Sequence, residues 1–195
     1  MTQKQSINDD NELRLAFESN VVDPTNNEYP IRVENHSINY NFHFPLNGNQ
    51  FVDHESTLAF FRNFGQEYSL NFKDCDFEND VQLYFHDTKP KRDIYFNNCN
   101  FNKNVYIKSF ENTITFSNCD FNATINAQNS IIAGKVRFRE CNFKDVNFRN
   151  TRFEALVDFW RCTFHEKVIF YKTDFMNTVV FSAATFKENV LFTYS

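Results

Sequence analysis

The sequence predicts an all-β fold: four-sided coils of extended chain, stacked as a solenoid with parallel strands, behind an N-terminal capping segment. Three regularities carry this expectation. Phe is the dominant bulky residue, 26 of 195, against 3 Gly, 2 Met and 1 Trp. From Phe159 it recurs at 164, 170, 175, 181, 186 and 192, in alternating steps of five and six. A smaller residue stands two positions before each: Val157, Cys162, Val168, Thr173, Val179, Ala184 and Val190. In extended chain, residues i and i−2 point the same way. Each unit therefore turns two apolar groups inward and then rounds a polar corner. The mean hydropathy of −0.56 fits such a chain of apolar anchors in polar spacers.

The elements follow in chain order. Residues 1–69 lack the unit and are expected to form the cap. Within them Asn11 to Ser19 reads as a short helix. Ile38, Tyr40, Phe42 and Phe44 alternate with polar residues, as in a strand. Ser56 to Gly65 reads as a second short helix with a glycine stop. The repeat occupies 70–195, about five to six coils. It begins with Leu70/Phe72, Cys75/Phe77 and Val81/Leu83, and continues through Ile94/Phe96, Cys99/Phe101 and Val105/Ile107. Ile114/Phe116, Cys119/Phe121 and Ile125/Ala127 follow, then Val136/Phe138, Cys141/Phe143, Val146/Phe148 and Thr151/Phe153.

Four units make a longer period. Phe72, Phe96, Phe116, Phe138, Phe159 and Phe181 are 24, 20, 22, 21 and 22 residues apart. The longest step holds an insertion, His86 to Asp93, whose Lys89-Pro90-Lys91-Arg92 cluster is expected in an exposed loop. One coil cannot shield its inner residues above and below. Stacked coils can, with backbones pairing about 4.8 Å apart. An open end of such a stack needs a cover, hence the assignment of 1–69 as a cap. The chain stops at Ser195 partway through a coil, so the last coil is expected either to continue in a longer protein or to be covered by another molecule.

These residues resemble the pentapeptide-repeat family, whose unit is a small residue, then Asp, Asn or Thr, then Leu or Phe, then two variable positions. Cys75-Asp76-Phe77, Cys99-Asn100-Phe101, Cys119-Asp120-Phe121, Cys141-Asn142-Phe143, Cys162-Thr163-Phe164 and Ala184-Thr185-Phe186 match it. The resemblance covers about residues 70–192. It implies a right-handed quadrilateral parallel β-helix. This chain departs from the pattern in using Phe rather than Leu and in mixing five- and six-residue steps.

Composition removes several functions. Gly48, Gly65 and Gly134 form no phosphate-cradling loop. No stretch approaches the roughly 18–20 apolar residues of a membrane span. A net charge of −5 gives no general attraction to nucleic acid or anionic lipid. Five cysteines without a secretion signal favour a reducing, cytoplasmic compartment, here taken as bacterial.

Candidate chemical groups read mostly as structure. Cys75, Cys99, Cys119, Cys141 and Cys162 recur at intervals of 24, 20, 22 and 21, as one inward ladder with Ala184 as its next rung. A straight ladder does not converge on a tetrahedral metal. His36, His43, His54, His86 and His165 are scattered and read as surface or cap packing. Asp145, Glu166 and Glu188 are expected at one outward corner of three coils, a solvated acidic strip. No catalytic residue, metal ligand or cofactor site is assigned.

Outward positions are polar early in the repeat, as at Asn97, Asn102 and Asn118, and become apolar later. Trp160, Ile169, Tyr171, Met176, Val180, Phe186, Leu191 and Phe192 form the candidate interface. The expected function is a non-enzymatic scaffold that docks a protein partner, with the last coil joining a homodimer or a C-terminal continuation. Two alternatives stand beside it. The resemblance includes acidic, often dimeric rods that mimic DNA and protect a type II topoisomerase. It also includes soluble parts of longer, membrane-anchored proteins, in which contact with membrane comes through a separate segment. An enzyme of the polysaccharide-cleaving β-helix kind would need a groove with converging carboxylates. Direct nucleic-acid binding is not expected.

Overall fold

The computed structural model describes residues 4–19, 32–44, 69–84, 93–108 and 110–193. The helix expected over Ser56 to Gly65 and the Lys89 to Arg92 loop lie outside them.

The inward/outward alternation takes effect strand by strand. In Leu70–Lys73, Ile94–Asn97, Val136–Arg139 and Val157–Trp160 the first and third residues are buried and the second and fourth are not. Corners follow each short strand. At the corner after the first side one residue adopts a left-handed backbone in each coil: Asp74, Asn98, Asn118, Glu140, Arg161 and Ala183, with φ between 53° and 56°. Each immediately precedes the small residue of the next side. This conformation costs most L-residues about 1–2 kcal/mol and is easiest for Asn and Asp. That explains how a chain with three glycines turns so often.

The coils stack in register into a parallel β-solenoid of about five turns. On the first side Phe72, Phe96, Phe116, Phe138 and Phe159 pair in succession. On the second, Phe77, Phe101, Phe121, Phe143, Phe164 and Phe186 do so. On the third the column is Val81, Val105, Ile125, Val146, Val168 and Val190. The fourth side holds Ile131–Ile132, Arg152–Phe153 and Asp174–Phe175. Rings stack within a column, Phe121 on Phe143 at 4.9 Å and 6°. They meet edge-on between columns, Phe138 and Phe143 at 5.1 Å and 78°. Each buried Phe contributes about 1.5–3 kcal/mol of transfer free energy, with a further 0.5–1.5 kcal/mol or so for a well-placed aromatic pair.

The mixed step length is absorbed without loss of register. Asn142–Asn147 runs through the corner between the second and third sides as one strand. Where the next coil has one residue more, Glu166 and Lys167 together oppose Asp145: the Glu166 amide donates to the Lys144 carbonyl and the Lys167 carbonyl accepts from the Val146 amide. The 20-residue coil is shortened on its fourth side. There the amides of Ala133 and Gly134 both donate to the Phe110 carbonyl.

The ladders reach further upstream than the repeat spacing does. Arg32–Glu34, His36–Ile38 and Phe42–Phe44 pair with the three sides of the following coil. The single strand expected across Ile38 to Phe44 is thus two strands with a corner between them. Tyr40 sits at that corner, where its hydroxyl donates to Asp10 Oδ1 at 2.6 Å.

Strand β1 (Gln5–Ile7) adds to His36–Ile38 in parallel. Helix α1 (Asp10–Ser19) then crosses the N-terminal end of the stack. Its start is set by side chains: Asp9 Oδ1 accepts from the Glu12 amide at 2.8 Å, and Glu12 Oε2 from the Asn8 amide at 2.7 Å. Leu13 and Phe17 are fully buried. Where the first-side ring column ends at Val33, Phe17 and Phe42 pack edge-on against Phe72 at 5.6 and 5.4 Å. The N-terminal end is therefore closed. Among the described residues no helix is long and apolar enough to cross a membrane.

Candidate interaction surface

The cysteines fall in one column. Cys75, Cys99, Cys119, Cys141 and Cys162 are buried and free. Each thiol reaches back to a carbonyl of the preceding coil. Cys99 Sγ lies 3.4 Å from the Phe72 oxygen, Cys119 Sγ 3.4 Å from that of Phe96, and Cys162 Sγ 3.3 Å from that of Phe138. Burial pushes the Cys119 thiol well above its ordinary pKa, which keeps it protonated and unreactive. The ladder ties coils together. Thr151 and Thr173 do the same on the fourth side, donating to the Ala127 and Phe148 carbonyls at 2.6 and 2.7 Å.

At the corner expected to carry the acidic strip, Asp145 lies opposite both Glu166 and Lys167: the Glu166 amide donates to the Lys144 carbonyl and the Val146 amide to the Lys167 carbonyl. Asp145 also accepts from the Thr124 hydroxyl at 3.3 Å. Lys167 thus stands among the acidic groups of the strip. His36 Nδ1 lies 2.7 Å from the Glu34 carbonyl, and His165 Nδ1 lies 3.2 Å from Lys187 Nζ. Among the described residues no group of three or more His, Cys, Asp or Glu is placed to hold a metal ion.

What spacing did not reveal is how the outward amides are joined. Asn98 Nδ2 donates to Asp74 Oδ1 at 2.5 Å, and Asn118 Nδ2 to Asn98 Oδ1 at 2.9 Å. Further columns behave alike, so the polar surface is a set of hydrogen-bonded ladders along the solenoid. The signal was present as Asn or Asp recurring before Cys75, Cys99 and Cys119 and before Phe77, Phe101, Phe121 and Phe143. Its meaning depended on which coil lies beside which.

The candidate interface residues are spread over all four sides, with Phe186 on the second. Ile169 and Leu191 are register partners on the third side. Tyr171 lies nearby with the Arg149 guanidinium 5.0 Å from its ring centre. Trp160 is on the first side with Arg161 at 4.8 Å, and Val180 pairs there with Asp158. Met176 follows the fourth-side strand Asp174–Phe175 and is 57% exposed. No single lateral face gathers them.

Burial changes at the C-terminal end. Phe159, Phe164 and Phe170 are at most 1% exposed. One coil on, Phe181 and Phe186 are only half-buried and Phe192 is 52% exposed. Val179, Ala184 and Val190 also lose full burial relative to Val157, Cys162 and Val168. The inward pattern is unchanged; what differs is that no described coil lies beyond. The result is an apolar end surface in which the Phe181 ring lies 5.7 Å from that of Phe186 and 6.2 Å from that of Phe192.

Comparison with known proteins agrees with this architecture. A family model described as pentapeptide repeats in nine copies matches residues 109–152 and, again, 127–173, together about a third of the chain. No curated protein and no solved structure matches the chain. Solenoids of this family are generally non-catalytic and typically act as protein-interaction modules. Residues 109–173 are thus similar to pentapeptide repeats, and the same unbroken ladders carry the parallel β-solenoid beyond them.

Proposed function

We propose that the chain is a non-enzymatic docking module that binds a protein partner through the C-terminal end of the solenoid. The observation that carries this is the loss of burial in the last coil, where Phe192 is 52% exposed while Phe170, its neighbour in the same column, is 0% exposed. Their rings stack at 4.6 Å, so Phe192 offers its other face outward. Stacked coils also leave backbone groups of the last coil ready to pair with another chain. Association there covers rings and backbone together.

The occupant is a second copy, a different chain or a C-terminal continuation of this one, each of which carries the ladder on. The reading as a DNA mimic is less well supported. Such a rod needs dense negative charge, and along the second side Asp76 and Asp120 alternate with the neutral Asn100 and Asn142.

Sedimentation of the 195-residue chain over a wide concentration range, and with captured partners, tests the proposal. Leu191→Glu and Val180→Glu are expected to abolish association while leaving circular dichroism unchanged. A chain that stays monomeric at all concentrations, and whose captured partners bind both variants as well as wild type, would overturn it.

A further inference from the structure

The second side carries an outward surface that shares no residue with the C-terminal end. In one column Asn100 Nδ2 donates to Asp76 Oδ1 at 2.7 Å and Asn142 Nδ2 to Asp120 Oδ1 at 2.8 Å. In the next, Asn102 Nδ2 donates to Glu78 Oε2 and Asn122 Nδ2 to Asn102 Oδ1, both at 2.9 Å. A primary amide has two donor hydrogens and two acceptor lone pairs. Each ladder bond uses one donor of one residue and one acceptor of another. The remaining capacity faces solvent, and the ladder holds it in one orientation. Such pre-setting removes part of the ordering cost of binding.

The columns run into a depression of about 480 Å³, lined by Asp120, Asn122, Asn142, Lys144, His165 and Glu166 around the buried Phe121 and Phe143. The side chains of Lys144 and Glu166 make no hydrogen bond or ion pair among the described residues. The lining thus offers donors and acceptors of both charge types at its surface.

These features select a ligand class. The mixture of Asp120 and Glu166 with Lys144 and His165 does not suit a polyanion. The outward groups recur at the coil rise of about 4.8 Å. An extended peptide advances about 3.4 Å per residue and falls out of step along the axis. A β-1,4-linked pyranose chain advances by nearly the coil rise at each ring. At each ring it also presents hydroxyls that both donate and accept.

We propose that this side of the solenoid binds a β-1,4-linked oligosaccharide laid along the axis, one ring per coil, with one end in the depression beside Lys144. Binding is reversible recognition only and requires no chemical step.

Titration calorimetry of the full chain with cellohexaose, chitohexaose and maltohexaose tests this. Maltohexaose has the same length, but its α-linkages curl it out of step with the coils. One of the two β-linked hexaoses is expected to bind at least about tenfold more tightly than maltohexaose. Which of them binds tells a plain glucan from an N-acetylated one. Lys144→Ala is expected to weaken that binding about five- to thirtyfold through a lost charged hydrogen bond. Lys144 is exposed, so its variant should keep the wild-type melting temperature. Asn122→Ala should weaken binding similarly, with its folding checked by circular dichroism. No binding of either β-linked hexaose at millimolar concentration would overturn the proposal. So would equal binding of maltohexaose, or affinity unchanged in the folded Lys144→Ala protein. None of these outcomes bears on the end contact, which is read by sedimentation.

Discussion

Thr173 Oγ1 donates to the carbonyl of Phe148, 25 residues earlier, at 2.7 Å, and so pins one coil to the one before it. Both groups are buried, and Thr151 makes the equivalent bond to Ala127 one coil upstream. Valine fills the same space without the donor, so Thr151→Val takes the hydroxyl from the Ala127 carbonyl and is expected to cost about 1–3 kcal/mol. After Thr173→Val the Phe148 carbonyl still accepts from the Thr151 amide at 3.2 Å, so about 0.5–1.5 kcal/mol is expected there. Urea denaturation should show a lower midpoint with an unchanged slope.

Gly134 is required by a close approach of backbone. A Cβ placed there would lie 1.7 Å from the Asn112 carbonyl oxygen, and neither group has a flexible side chain to yield. The cause is the shortened fourth side of the preceding coil. Gly134→Ala is expected to cost about 3 kcal/mol or more by overpacking. Thermal unfolding of the variant, compared with that of Ala133→Gly, checks it.

Position along the stack should grade the cost of losing a ring. Phe143→Ala and Phe164→Ala remove side chains that are 0% and 1% exposed and should each cost about 3–5 kcal/mol. Phe192→Ala removes one that is half exposed and should cost about 1 kcal/mol or less in the monomer. Equal costs measured by chemical denaturation would contradict the open end.

Asp10 makes the cap sensitive to pH. Burial is the main cause that raises its carboxyl from 3.8 to about 6, partly offset by the hydrogen bond from Tyr40 and reinforced by Asp9. The folded state therefore holds the proton more tightly than the unfolded chain. The stabilisation is fully present below about pH 4, declines as pH rises towards about 6, and is absent above that. Asp10→Asn should remove this dependence and raise stability at neutral pH. Melting temperatures of both proteins between pH 4 and 8 provide the measurement.

The cysteine column should be silent in the native protein. Cys75, Cys99, Cys119, Cys141 and Cys162 are all buried, and only the thiolate reacts. A thiol reagent is expected to label slowly before unfolding and to find five thiols after it. Rapid native labelling of several would place the column on the surface.

The sequence by itself determined the inward columns, because inward residues repeat every two positions along a strand and every coil along the axis. From Val157 to Phe192 each small residue and each Phe was legible as inward-facing, and the cysteine register followed from spacing alone. The helix at the N-terminus was legible to within one residue, Asn11 to Ser19 expected against Asp10–Ser19 found. Only the tertiary structure decided how the chain turns and where the stack begins. Arg32–Glu34 and Phe42–Phe44 carry no repeat of their own and are recruited by backbone pairing with the next coil, which needs no particular side chain. The outward amides were visible as polar residues, but their ladders depend on neighbours 20 to 24 positions away. Glu166 shows the limit of spacing: the six-residue step sets both it and Lys167 opposite Asp145, and only the hydrogen-bond register says where in the step the extra residue is absorbed.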